Sequence, residues 1–121
     1  MHEFSIADSL VEQLGEIAAG NDLSAIDRVE LEVGELRQVI PHILQLAFRE
    51  TARGTPAEAA ELVLDEVEAR AQCRRCHRVF RPGPWDYSCP ACDVADVEVL
   101  EGNALVLKSI AANEPSGVAL A

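Results

Sequence analysis

The chain is short of aromatic and basic residues. Three Phe, one Trp and one Tyr are its aromatic residues, and Phe80, Trp85 and Tyr87 all fall between the second and third cysteines. The main core is therefore predicted to be aliphatic. Lys and Arg number 10 against 21 Asp and Glu, which gives a net charge of −11. Because phosphate backbones and anionic membranes repel such a protein, we expect neither nucleic acid nor a membrane as its partner.

The sequence also has no long apolar run and no recognisable secretion signal. No hydrophobic stretch approaches the ~18 residues that a membrane-spanning helix needs. The amino terminus lacks a basic start followed by an apolar segment, so a cytoplasmic protein is predicted. Cysteines stay reduced in that compartment, and paired ones then indicate metal binding. Since no Gly-rich phosphate loop or Ser/His/Asp set is present, we predict that the chain is not an enzyme.

The periodicity of apolar residues predicts an α+β fold, with two helices on a three-stranded mixed sheet and an inserted four-cysteine, zinc-ribbon-like module. Ser5 is the predicted N-cap of the first helix, which ends near Gly20, and Pro41 lies in the first turn of the second helix. An alternation of apolar and acidic residues marks the first strand. The three strands are predicted over residues 29–33, 62–71 and 104–110.

The insertion sets the predicted domain organisation. Residues 1–71 plus 102–112 are predicted to form an α/β domain, and residues 72–101 a metal-binding domain. The insertion is too short for an aliphatic core of its own, so it needs a covalent or metal link. Residues 113–121, with their Glu-Pro-Ser-Gly stretch, are predicted to be a flexible tail.

The four cysteines form two CxxC pairs, Cys73 with Cys76 and Cys89 with Cys92, separated by twelve residues. A CxxC turn directs two thiolates at one ion, and two such turns complete the tetrahedron that zinc prefers. A site with four thiolates has no open position, so a structural zinc ion is predicted. The alternatives are an iron site of rubredoxin type and a thioredoxin-like redox pair, although redox chemistry needs only one reactive CxxC.

Basic residues gather around this module. They offset the negative charge of a zinc tetrathiolate centre or form a docking surface for an acidic partner, and the three nearby aromatic residues leave base stacking as a further alternative. His77, directly after a ligand, is interpreted as a surface residue or hydrogen-bond donor, with exchange for a thiolate as the alternative. The basic residues are Arg70, Arg74, Arg75, Arg78 and Arg81.

The first three residues, Met1, His2 and Glu3, form a chelating sequence. The terminal amine, the deprotonated amide of His2 and the imidazole Nδ1 of His2 can close fused rings on one ion, and the amide of Glu3 offers a further nitrogen. Nitrogens in a square plane suit Ni(II) or Cu(II) and not zinc. The alternative interpretation is a chance histidine after the initiator methionine.

Several motifs together resemble one known family. They are Met1-His2-Glu3-x-Ser5, the Val33-Gly34-Glu35-Leu36 turn, the two CxxC pairs, and Gly102-Asn103-x-Leu105 before the last strand. Their order over residues 1 to about 110 is similar to that in the HypA/HybF family of hydrogenase nickel-incorporation proteins.

The resemblance implies a nickel metallochaperone. His2 would be the essential nickel ligand, Met1 and Glu3 would contribute through the backbone, and the four cysteines would hold zinc. The expected partners are a GTPase of the HypB type and the hydrogenase large subunit, with urease as a second client and the protein a monomer or a homodimer. His42 stands where many members have an acidic residue, and we expect it to cap a helix and not to bind nickel. The alternative function is a zinc-ribbon adaptor or nucleic-acid-binding module.

Overall fold

The computed structural model describes residues 2–83 and 85–112. Met1, predicted to contribute to the nickel site, and the predicted tail 113–121 lie outside these residues. The described part contains two α-helices, one 3₁₀ turn and six strands. In chain order these are α1 (His2–Gly20), β1 (Ile26–Gly34), the 3₁₀ turn (Glu35–Arg37), α2 (Pro41–Thr51), β2 (Glu61–Val67), β3 (Arg70–Cys73), β4 (Val79–Phe80), β5 (Val97–Glu101) and β6 (Leu105–Ala112).

Helix α1 begins at His2, earlier than the sequence predicts. Its buried face includes Ala7, Leu10 and Leu14, at the spacing expected for one side of a helix. The predicted N-cap Ser5 is wrong, because Ser5 is an exposed residue inside the helix. The first turn instead carries Glu3, an acidic residue that suits a helix N-terminus and is buried there.

Helix α2 begins at Pro41, as predicted, and packs against α1. Proline suits this position because its ring presets a helical φ. Its lack of an N–H costs nothing there, since an N–H in the first turn has no acceptor within the helix. The helix buries Leu44, Ala47 and Phe48. The two helices therefore share an aliphatic core with few aromatic residues, as the composition predicts.

The first sheet has the strand order β2-β1-β6. In β1 the side chains of Val29, Leu31 and Val33 are buried, and the predicted alternation is confirmed. The backbone N–H of Gly34, the last residue of β1, donates to the carbonyl of Ala104, the residue before β6. The end of β1 therefore lies beside the start of β6, and the two strands run antiparallel. Two helices with a mixed three-stranded sheet and a four-cysteine cluster confirm the predicted fold class.

The second sheet has the order β4-β3-β5, with β3 antiparallel to both neighbours. The single strand predicted over 62–71 is wrong, because β2 ends at Val67 and β3 begins at Arg70 in the other sheet. The break has a structural cause at Ala69, whose N–H donates to the Oε1 of Glu35 at 2.8 Å and not to a neighbouring strand.

Two glycines allow backbones to meet near this break. A Cβ atom on Gly34 would lie 2.3 Å from the carbonyl carbon and oxygen of Gly102. Gly102 itself has a φ of +92°, and its own Cβ would lie 2.4 Å from the Cα of Ala69. Three backbone segments are thus in contact with no room for a side chain, which explains glycine at both positions.

The chain forms two compact units. One contains α1 and β1 as far as Leu31, the segment Val39–Leu64 with α2, and the described part of the chain from Leu107. The other contains Glu32–Gln38 and Asp65–Val106, including the cysteines. The predicted domain boundaries stay a prediction, since compactness does not show which segments fold independently. None of the described helices is long and apolar enough to cross a membrane.

We expect Gly34→Ala to lower the free energy of unfolding by about 1–3 kcal/mol, because the added methyl group meets backbone atoms that no rotamer change can move. Urea denaturation followed by circular dichroism measures the effect. Gly15→Ala is the matched control: nothing lies within 4 Å of its Cβ position in α1, so it should be stabilising by about 0.5–1 kcal/mol through helix propensity. Equal stabilities of Gly34→Ala and the native protein would contradict the close approach.

Candidate metal centre

Two turns with the same hydrogen-bond pattern present the cysteines. In the first, the N–H of His77 donates to the carbonyl of Cys73 at 2.9 Å, and the N–H of Cys73 donates to the carbonyl of Arg78 at 2.9 Å. The N–H of Arg75 points to the Sγ of Cys73 at 3.4 Å. His77 has a φ of 65°, which closes the turn in the left-handed region. Backbone hydrogen bonds therefore hold both the main chain and the sulfur of Cys73 in this turn.

The second turn repeats this pattern sixteen residues later. The N–H of Asp93 donates to the carbonyl of Cys89 at 2.8 Å, and the N–H of Cys89 donates to the carbonyl of Val94 at 2.9 Å. The N–H of Ala91 points to the Sγ of Cys89 at 3.4 Å, and Asp93 has a φ of 57°. Two matched turns of this kind form the halves of one four-sulfur site.

The four sulfur atoms lie within 4.8 Å of one another, and the Sγ atoms of Cys76 and Cys89 are 3.6 Å apart. A tetrahedron with Zn–S bonds of about 2.3 Å has sulfur–sulfur edges of about 3.8 Å, so the donor set fits a zinc ion. Cys73 and Cys89 are buried, whereas Cys92 is half-buried and Cys76 is exposed. The four cysteines therefore form one cluster with the geometry to hold a single metal ion, as the CxxC spacing predicts.

The electrostatics of the cluster favour a bound cation. Hydrogen bonds from the backbone N–H groups of Cys76 and Arg75 help to lower the pKa of Cys73 to about 7. Hydrogen bonding to Cys76, burial and the negative charge of neighbouring sulfurs raise the pKa of Cys92 to about 12. The cluster thus resists full ionisation because its thiolates repel one another. A divalent cation removes that repulsion and binds the deprotonated sulfurs.

Three of the five basic residues around the module, Arg70, Arg74 and Arg81, are paired with carboxylates. Arg70 contacts Glu101, and Arg74 contacts Asp96, both through exposed ion pairs that contribute little to stability. Among the described residues, Arg75 and Arg78 have no carboxylate within ion-pair distance, and both are exposed in the first turn. These two guanidinium groups are the ones available to offset the charge of a tetrathiolate centre or to meet an acidic partner.

Glu35 is a residue whose role the sequence did not reveal. Its carboxylate accepts the N–H of Ala69 and two N–H groups of Arg81, from Nε at 3.2 Å and from a terminal nitrogen at 2.5 Å. Arg81 holds the pKa of Glu35 below its usual range, so this contact weakens when acid protonates the carboxylate. The Gly34-Glu35 motif indicated a turn, but no local signal identified Arg81, 46 residues away, as its partner.

The other residues considered around the module are mostly accessible. Trp85 is 85% exposed, and Phe80 and Tyr87 are half-buried. His77 is exposed, and its carbonyl accepts a hydrogen bond from the Gln72 side chain. The His77 side chain is not one of the groups in the cluster of four cysteine sulfurs.

Two residues of the predicted nickel site, His2 and Glu3, lie at the start of α1. His2 is exposed as the first helical residue, and Glu3 is buried with 7% of its surface exposed. The Oε2 atom of Glu3 accepts the backbone N–H of Ile40 at 3.1 Å. His42 is exposed in the first turn of α2, whose N-cap is Ile40, so the expectation that His42 caps this helix is wrong. The Glu3 side chain supplies the contact at that end instead.

Comparisons with known proteins identify the same family that the sequence motifs resemble. The family model described as "Hydrogenase/urease nickel incorporation, metallochaperone, hypA" matches residues 1–112. A hydrogenase maturation factor HypA from Streptomyces avermitilis is 39% identical over 112 residues, covering 91% of this chain and 86% of the relative. One from Aquifex aeolicus is 32% identical over 110 residues, covering 91% and 96%.

Solved structures agree with these relatives. The solution structure of the nickel metallochaperone HypA from Helicobacter pylori has a TM-score of 0.66 and 27% identity, covering 91% of this chain and 96% of that one. A second HypA solution structure has a TM-score of 0.69 and 28% identity, covering 93% and 97%. The sequence motifs, the four-sulfur cluster and these matches agree, and the chain belongs to the HypA family of hydrogenase/urease nickel-incorporation metallochaperones.

Proposed function

We propose that this chain binds Ni(II) at its amino terminus and delivers it to a [NiFe]-hydrogenase precursor together with a HypB-type GTPase. Urease is a second proposed client of the same activity, in keeping with the description of the family. Hydrogenase maturation is the role of the family, and a metallochaperone needs no catalytic residue. The observation that carries the proposal is that α1 begins at His2, with Glu3 in its first turn.

A helix that begins at His2 leaves the amide groups of its first turn without carbonyl acceptors in the helix. Nickel can therefore displace the amide proton of His2 without breaking a helical hydrogen bond. The exposed imidazole of His2 supports this binding, because it can anchor the ion while the amide proton leaves. The amine of Met1 would close one chelate ring through the backbone. This ring would share the His2 amide nitrogen with a second ring, which the imidazole closes.

The ring geometry sets how many of these nitrogens bind at once. The Met1 amine, the His2 imidazole and the Glu3 amide each form a small chelate ring with the His2 amide nitrogen. Such rings reach positions next to that nitrogen and not the position opposite it. A square-planar ion therefore takes three of the four nitrogens plus another donor, whereas a six-coordinate ion has room for all four. A position held by a donor from outside these three residues can be exchanged, which suits transfer of the ion to a client.

The donor type also limits metal selectivity. Nitrogen donors bind Cu(II) at least as tightly as Ni(II) by the general order of affinities for divalent metals. Selection of nickel in the cell must then come from metal supply and from partners.

The sulfur cluster serves a separate, structural purpose in this proposal. Cys73, Cys76, Cys89 and Cys92 hold structural Zn(II), since four thiolates leave no coordination position open for chemistry or exchange. The matched backbone turns that present the sulfurs, and the fit of their spacing to Zn–S bonds, support this assignment.

The nickel proposal predicts a strict requirement for a free terminus. In calorimetric titration, the untagged protein and His42→Ala should each bind one nickel. Protein with an amino-terminal tag and the His2→Ala variant should lack a site of similar strength. Because binding displaces amine and amide protons, the affinity should also fall as the pH is lowered. Equal binding by the tagged protein would refute the terminal chelate, and loss in His42→Ala would move the site to α2.

The zinc proposal predicts a local loss of structure. Cys92→Ser should lose zinc and make residues 72–100 sensitive to protease while the helices persist, because structural zinc contributes on the order of 10–16 kcal/mol to folding in small modules. Zinc content, limited proteolysis and far-ultraviolet circular dichroism measure these effects. His77→Ala is the control and should keep its zinc. Stoichiometric zinc with native protease resistance in Cys92→Ser would be inconsistent with four thiolate ligands.

The partner proposal predicts binding to protein and not to nucleic acid. With a net charge of −11, we expect no measurable binding to oligonucleotides at physiological salt but a complex with the nickel-handling GTPase of the same organism. Fluorescence anisotropy and analytical gel filtration test the two cases. Arg75→Glu, which reverses the charge of an exposed residue in the first cysteine turn, is the control variant. Tight, salt-sensitive binding to oligonucleotides would instead favour a nucleic-acid-binding module.

A further inference from the structure

The carboxylate of Glu3 is occupied by a contact between the two helices. It is buried although it lies one residue from the exposed His2, and its Oε2 atom accepts the backbone N–H of Ile40. Ile40 is the N-cap of α2, and its own side chain makes no capping hydrogen bond. An aliphatic residue cannot satisfy the free N–H groups at a helix start. Glu3 satisfies one backbone N–H at this end from another helix.

Charge favours the same arrangement. The carboxylate lies in the first turn of α1 and contacts the residue that precedes α2, so it meets the positive ends of two helix dipoles. The hydrogen bond from the N–H of Ile40 holds the carboxylate between these two helix ends.

We propose that the Glu3 carboxylate is a positioning group for the terminal nickel site, which holds the first turn of α1 against the start of α2 and does not bind nickel. This inference rests on the proposed nickel function. Residues at a chain terminus normally fray, and a frayed terminus must become ordered when it closes chelate rings on an ion. Anchoring Glu3 orders the residue next to His2 in advance, so nickel binding loses less conformational entropy.

This role differs from that of a ligand in its consequences. Removal of the carboxylate leaves the Met1 amine, both His2 nitrogens and the Glu3 amide in place, so the coordinating atoms do not change. The affinity should fall while the spectrum of the bound ion stays the same. A side chain that keeps the hydrogen-bond acceptor without the charge should restore most of the affinity, since the geometry of the contact is retained.

The test compares untagged native protein, Glu3→Ala, Glu3→Gln and the control Asp8→Ala, which removes an exposed acidic residue from the same helix. Nickel affinity is measured by calorimetry and the coordination sphere by the visible absorption bands of bound nickel. We expect Glu3→Ala to bind one nickel about ten-fold more weakly, the loss typical of one hydrogen bond to a charged group, with unchanged bands. Glu3→Gln should lie within about three-fold of the native protein, and Asp8→Ala should match it.

A second variant tests the donor of the same hydrogen bond. Ile40→Pro removes the N–H at a residue whose φ of −89° is within about 25° of the value that proline prefers. Ile40→Pro should lower the nickel affinity as much as Glu3→Ala does. The double variant should bind nickel no more weakly than either single variant. Zinc content and helicity, measured on every variant, confirm that the fold is intact.

The outcomes separate this inference from the function on which it rests. Native affinity in Glu3→Ala, or shifted absorption bands in Glu3→Ala and Glu3→Gln, would overturn the positioning role, the second result by making the carboxylate a ligand. Equal losses in Glu3→Ala and Glu3→Gln would also overturn it. If the untagged native protein bound no nickel, or the tagged protein bound it equally well, the proposed function itself would fail.

Discussion

The convergence of four cysteine sulfurs is the constraint on which the cysteine-containing segment depends. Among the described residues from Gln72 to Glu101, Cys73, Pro82 and Cys89 are the buried ones, so two of the four clustered cysteines make up most of the local interior. Hydrophobic burial on this scale cannot offset the conformational entropy of ordering some thirty residues. Paired backbone turns bring the sulfurs together, and an ion bound by them would replace the missing core.

Close backbone packing gives the same unit its second source of order. Gly34 and Gly102 allow three chain segments to approach without side chains between them. The Glu35 carboxylate then meets the N–H of Ala69 and the guanidinium of Arg81 beside this contact. Since Ala69 separates β2 from β3, the carboxylate takes the hydrogen bond that a continuous strand would have used. A single acidic residue thus accompanies the change from one sheet to the other.

A comparable arrangement occurs at the start of α1. Glu3 and Glu35 are both carboxylates that accept a backbone N–H far away in sequence, and both have a pKa below the usual range because of those hydrogen bonds and the charges nearby. The protein has many acidic residues, and most are exposed on its surface. These two differ because they satisfy backbone groups that would otherwise have no partner, which makes them structural elements of the fold.

Short-range patterns in the sequence determined a large part of this molecule. The alternation from Val29 to Val33 specified β1, Pro41 specified the start of α2, and the CxxC spacing specified the sulfur cluster, because each depends on residues within one turn or strand. The sequence motifs also identified the family. Only the tertiary structure decided where α1 begins, where the strand predicted over 62–71 breaks, and which groups Glu3 and Glu35 bind. Those outcomes depend on contacts between residues 34 to 46 positions apart. Every residue except proline has a backbone N–H, so the sequence does not indicate which N–H a given carboxylate will bind.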